Sequence, residues 1–235
     1  MVRSRDIRAV LESDGGDDVL TGPFHGELHG QQWMELDAED ATFTEVDFGA
    51  CDLTGSRFQD CAFTGCRLNG TGMADARLRD VTLNTTSLAG MQLPRARLDG
   101  VRFDTCDLSG VVLLDSELTD VMFVRSKLSF ANFSVSAWWD VVVDRCPAIE
   151  TAFDGARFRD VRITASPLNA STFHKATVHP GTRLDIRGCS IDGVAGLLRV
   201  GSMLVDEGQA LSIAAALLAE HDVEVSNEAP PDPLT

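Results

Sequence analysis

From Phe43 to Val178, every fifth residue is apolar: Phe43, Phe48, Leu53, Phe58, Phe63, Leu68 and onward, always at numbers ending in 3 or 8. Of these 28 positions, 22 are Leu or Phe, and the weakest is Ala148. Two residues earlier, 27 of the 28 positions hold Ala, Val, Cys, Ser or Thr, Met91 being the exception. In extended backbone, residues two apart point the same way, so a small and a large side chain at this spacing both face inward and the residue between them faces water. The other two residues of each pentad are rich in Gly, Asp, Asn, Thr and Ser, as in Thr54-Gly55, Asn69-Gly70 and Asp99-Gly100, and favour a tight corner. A lone pentad buries nothing. Stacked coils must supply both the backbone pairing and the apolar contacts.

The pattern changes at both ends. Upstream, Leu28, Trp33 and Ala38 keep the five-residue phase weakly, and Ile7, Val10 and Leu11 fall at helical spacing before Gly15-Gly16. A short helix over the first coil is one reading of that leader; a disordered acidic segment is the other. Downstream, the phase slips at His179-Pro180-Gly181 and resumes with Ile186 and Ile191, with Leu184 and Cys189 in the small slots. Asp206 then suits the N-cap of a helix running to about Glu220. Gln209, Ser212, Ala216 and Glu220 form its narrow polar stripe, and apolar side chains cover the rest, more than one rod end can bury. The expected division is a cap with degenerate pentads over residues 1–40, a repeat body over 41–200, a helix over 201–225 and a disordered tail over 226–235.

Cys51-Asp52-Leu53-Thr54-Gly55, Ala96-Arg97-Leu98-Asp99-Gly100 and Cys106-Asp107-Leu108-Ser109-Gly110 resemble the A(D/N)LXX unit of the pentapeptide-repeat family. The resemblance implies an all-β solenoid, a right-handed quadrilateral β-helix with four pentads per coil and about seven or more coils. Seven coils spaced about 4.8 Å apart make a rod roughly 34 Å long. The aromatic spacing does not itself choose four sides, since between Phe43 and Val178 five Phe or Trp pairs are 20 apart and five are 15 apart. The C-terminal layout resembles the dimerisation module of the quinolone-resistance members of the Qnr and MfpA type. That resemblance implies a homodimer through Leu204, Val205, Leu211, Ala214, Ala215 and Leu218.

Charge bears on partners. The chain has 235 residues and a net charge of −16. The acidity sits at the ends: residues 1–40 and 201–235 carry −7 each, while 41–180 carry only −3. Such a balance works against direct nucleic-acid binding and leaves basic partners or acidic mimicry open. No apolar run approaches a membrane span and the first residues lack an apolar signal core, so a cytoplasmic address without membrane association is expected.

No catalytic, metal or cofactor site is expected. The six cysteines follow the repeat and no CxxC pair occurs, so they are expected to be reduced core fillers. The five histidines keep no ligand-like spacing, and the chain is not expected to be an enzyme. The resemblance implies binding to DNA gyrase or topoisomerase IV, the rod imitating duplex DNA, with Asp206, Glu207, Glu220, Asp222 and Glu224 as the acidic surface. Against it, the four faces of the body sum to nearly zero charge. The competing function is a protein-interaction scaffold using an outward patch at Met122, Trp139 and Val142, with Val112, Leu114, Val124 and Ile149 nearby. Local packing between coils is the other reading of that patch.

Overall fold

The computed structural model describes residues 4–14 and 19–220. They form one parallel sheet of 18 short strands wound as a β-solenoid. Successive coils pair 20 residues apart, Arg57 with Arg77 and Arg77 with Arg97 on one side, Ala62 with Thr82 and Thr82 with Arg102 on the next. A five-residue period and a 20-residue register give four sides per coil. Two adjacent sides carry three-residue strands such as Arg57–Gln59 and Ala62–Thr64; the other two touch through single bridges such as Arg67 with Ser87 and Gly72 with Gln92. About ten levels stack between the strands Leu20–His25 and Met203–Leu204, three beyond the seven that the unbroken period implies.

The inward assignment holds along the whole period. All 28 small slots are buried, as are 27 of the 28 large ones; Val178, next to the phase slip, is half-buried. Aromatic rings stack from coil to coil, Phe103 on Phe123 at 4.9 Å and 5° and Phe153 on Phe173 at 4.7 Å and 17°. The small slots do more than fit. Thr71, Ser116 and Thr151 donate their hydroxyls to the carbonyls of Phe48, Leu93 and Leu128, each 23 residues earlier, at 2.7–2.8 Å. Ser116 Oγ also accepts the Ala96 N–H at 3.1 Å, so one hydroxyl serves two buried backbone groups. Cysteine takes the same role more weakly, Cys106 Sγ lying 3.3 Å from the Leu83 carbonyl.

Every corner residue from 35 to 175, at numbers ending in 0 or 5, has a φ of +48° to +76°. This left-handed conformation turns the chain by a quarter circuit without breaking the ladder. Asp and Gly tolerate it best, which is why they recur at the corners.

Both ends are covered. The leader forms a helix, α1 (Ile7–Asp14), with Ile7 and Leu11 buried on the first coil, so the disordered alternative falls. Asp6 Oδ1 caps it by accepting the Ala9 N–H at 3.1 Å. The degenerate pentads belong to the solenoid itself: Leu20–His25 pairs with Asp37–Thr44 through a register shift, and Phe24 stacks on Phe43 at 5.5 Å. That shift hides the first coil from a strict five-residue count. At the other end Val161 pairs with Leu184, 23 residues on, so His179–Gly181 is a three-residue insertion before a last coil that buries Leu184 and Ile186. Helix α2 (Glu207–Glu220) follows. The expected disordered tail lies outside the described residues.

Candidate protein-interaction surfaces

The corner between the two strand-bearing sides carries one residue type. At 20-residue intervals it holds Asp40, Asp60, Asp80, Asp120, Asp140 and Asp160, all exposed, with Gly100 the single gap. Asp80 Oδ1 lies 2.6 Å from where a Cβ on Gly100 would stand, so a neighbouring carboxylate partly fills even that gap. At one level per ~4.8 Å the carboxylates form a line roughly 29 Å long. The fold does not require this. The next corner has the same backbone conformation and holds Glu45, Gly65, Thr85, Thr105, Arg125, Arg145 and Ala165. Among the described residues, Asp40, Asp60, Asp120 and Asp140 make no ion pair, while Asp80 and Asp160 meet Arg79 and Arg159 at 3.5 and 3.9 Å. Summing charge over whole faces conceals the line, because Arg57, Arg77, Arg97 and Arg157 occupy the neighbouring strands.

The C-terminal acidic residues divide. Asp206 is committed to structure: Oδ1 accepts the Gln209 N–H at 2.9 Å and Oδ2 the Gly188 N–H at 2.9 Å. Those donors hold its carboxyl below the ordinary range. Glu207 is exposed in the first turn of α2. The Glu220 side chain, Asp222 and Glu224 lie outside what is described.

Helix α2 docks through Gln209. Gln209 is buried and donates Nε2 to the carbonyls of Ile186 and Cys189 at 2.6 and 2.8 Å. Much of the rest of the helix is open: Leu211 is 69% exposed, Ala214 and Ala215 are exposed and Leu218 is half-buried, while Leu204 and Val205, ahead of the helix, are half-buried and Val205 packs against the core. The outward leucines leave α2 with an exposed apolar surface of the kind that marks contact sites.

The expected central patch is smaller than its sequence suggests. Trp139 is 41% exposed, but Met122 and Val142 are half-buried, stacked in register with Arg102 and Arg162 on either side. Arg102 lies over Met122 Sδ at 3.6 Å and pairs with Asp104, which Arg125 also meets; Val124 is buried. The local-packing reading describes Met122, Val124 and Val142.

All six cysteines are free and buried. Burial pushes the thiols of Cys61, Cys66, Cys106, Cys146 and Cys189 up to about 11, so they stay protonated and unreactive at neutral pH. Among the described residues no group of three His, Cys, Asp or Glu side chains is placed to hold a metal ion, and no helix is long and apolar enough to cross a membrane.

These features meet in one class of molecule. The family model described as "Pentapeptide repeat region" matches residues 36–113 and 56–133. Residues 36–133 are therefore a pentapeptide-repeat region. HetL, a pentapeptide-repeat protein involved in heterocyst differentiation regulation in the cyanobacterium Nostoc sp. strain PCC 7120, superposes with a TM-score of 0.54 at 14% identity, covering 81% of this chain and 92% of its own. Full-length QnrB1, a plasmid-mediated fluoroquinolone resistance protein, gives 0.46 at 18% identity, covering 81% and 96%. No curated protein matches the sequence.

Proposed function

We propose that this chain binds a type II topoisomerase of the DNA gyrase class in the groove that otherwise takes duplex DNA, and so modulates the enzyme or protects it from quinolone-like poisons. The carboxylate line from Asp40 to Asp160 carries the reading. A groove built for phosphates expects anions in a row, and each DNA strand offers one per 3.4 Å. The corner offers one per ~4.8 Å on a rigid edge. Adjacent carboxylates at that spacing repel by about 0.9 kcal/mol in water, a cost the backbone does not impose and a basic groove would repay.

The body is otherwise close to neutral, which confines the mimicry to this corner instead of spreading it over the rod. The open apolar surface of α2 supports a homodimer in which two acidic C-terminal segments sit near the centre. The binding test is fluorescence anisotropy of the labelled chain titrated with purified gyrase, then competed with linear duplex DNA. Displacement by duplex is expected. Binding that duplex leaves untouched would place the chain elsewhere on the enzyme and remove the mimicry.

A further inference from the structure

Two corner residues of a single coil break the corner rule together. Phe130 and Val135 bound one side of the rod, have φ of +63° and +61°, and are 61% and 48% exposed. In the other coils these corners hold Gly30, Ala50, Gly70, Gly90, Gly110, Glu150 and Ala170, and Glu35, Gly55, Asp75, Arg95, Asp115, Gly155 and Lys175. A bulky aromatic and a β-branched residue are the least suited to left-handed backbone, where an L-residue costs roughly 1–2 kcal/mol. Exposed as they are, neither recovers that cost by burial.

Two more exposed aliphatics lie beside them. Leu114 precedes the corner stacked against Val135, and the Ile149 carbonyl accepts the Phe130 N–H at 2.9 Å. Half-buried Val112 lies between, in register with Asn132. The rim is acidic: Asp115 stacks under Val135, Glu150 follows Ile149, and Asp154 stands one level on from Ser134. Three cations stand in the same neighbourhood: Arg95, two levels from Val135, pairs with Asp75 at 2.7 Å, Lys127 pairs with Asp107 at 3.7 Å, and Lys175 stands two levels from Val135 on the other side. This side is not part of the Asp40–Asp160 corner and lies several levels from α2.

We propose that the Leu114, Phe130, Val135 and Ile149 surface is a second docking site, taking a partner segment whose large apolar side chains are flanked by lysine or arginine. Two exposed apolar side chains kept in left-handed backbone, with exposed aliphatics beside them and carboxylates around them, have the composition of an interface centre with a charged rim. The acidic rim disfavours a second copy of this −16 chain.

The test uses the full chain and two labelled amphipathic helical peptides, one of Leu and Lys and one of Leu and Glu in the same pattern, read by fluorescence anisotropy. The Leu/Lys peptide is expected to bind and the Leu/Glu peptide not. Phe130→Gly should weaken binding roughly tenfold or more, the loss typical of a central aromatic anchor, while leaving Tm unchanged or raised because the corner strain is relieved. Asp60→Asn with Asp120→Asn should leave peptide binding intact. The proposal is overturned if neither peptide binds, if both bind alike, if Phe130→Gly binds as the unsubstituted chain does or lowers Tm, or if the aspartate variant abolishes binding. Its failure leaves the topoisomerase reading standing, since that rests on a different corner.

Discussion

Asp206 and Gln209 cap one another: the Asp206 carboxylate accepts the Gln209 N–H at 2.9 Å, and the Gln209 side-chain oxygen accepts the Asp206 N–H at 2.8 Å. The box starts α2, and the Gln209 amide group ties it to the last coil through Ile186 and Cys189. Asp206→Ala should therefore destabilise the C-terminal module by about 1 kcal/mol. Faster amide hydrogen exchange confined to α2 would register it; unchanged exchange there would mean that the cap contributes nothing.

Phe123 lies between a parallel ring at Phe103, 4.9 Å away, and the rings of Trp138 and Phe133 at 6.0 and 6.2 Å. Phe123→Ala should cost about 3–5 kcal/mol, through lost burial and the cavity left in a column that cannot collapse sideways. Urea denaturation measures it, and a loss under about 1 kcal/mol is incompatible with a fully buried ring of this kind.

Asp185 is buried on the last coil, and the Arg187 guanidinium, bonded to it at 2.8 and 2.9 Å, holds its carboxyl below the ordinary range against the opposing effect of burial. A depressed folded-state carboxyl contributes stability above its unfolded pKa of about 3.9 and loses it as pH falls through the folded value. Asp185→Asn should thus lower Tm at neutral pH, and the gap from the unsubstituted chain should close below about pH 4. Thermal melts between neutral and acid pH check the sign. A gap that widens in acid would contradict it.

The open surface of α2 predicts self-association. Leu211→Asp with Leu218→Asp should convert a dimer to a monomer in analytical ultracentrifugation, with the solenoid's far-ultraviolet signal retained. A chain that is monomeric before substitution, or dimeric after it, places the contact elsewhere.

The body of the rod was legible because one spacing carries it: Phe43 through Phe173 at intervals of five all point inward. The number of sides was not. The structure explains why: Phe pairs 20 apart, such as Phe43 and Phe63, stack on the same side of adjacent coils at 4.6 Å, whereas pairs 15 apart, such as Phe43 and Phe58, meet edge-on from the neighbouring side at 6.1 Å. Both spacings are real contacts, so counting them could not separate the geometries. The aspartate corner was also missed. It could have been found by reading numbers ending in 0 at intervals of 20 instead of adding charge over each face. Asp206 could be read from the sequence both as the N-cap of α2 and as part of an acidic surface, and only its donors, the Gln209 and Gly188 N–H groups, show that both carboxylate oxygens are committed to structure.

DNA supercoiling by purified gyrase, with and without a fluoroquinolone, measures the effect of the aspartate corner most directly. The comparison is between this chain and a variant in which Asp60, Asp80, Asp120 and Asp140 are all replaced by Asn, which tolerates the same left-handed corner while removing the charge. The unsubstituted chain should inhibit supercoiling or preserve it against the drug, and the variant should do neither. No effect from either protein at micromolar concentration, or an equal effect from both, would contradict the role assigned to those carboxylates.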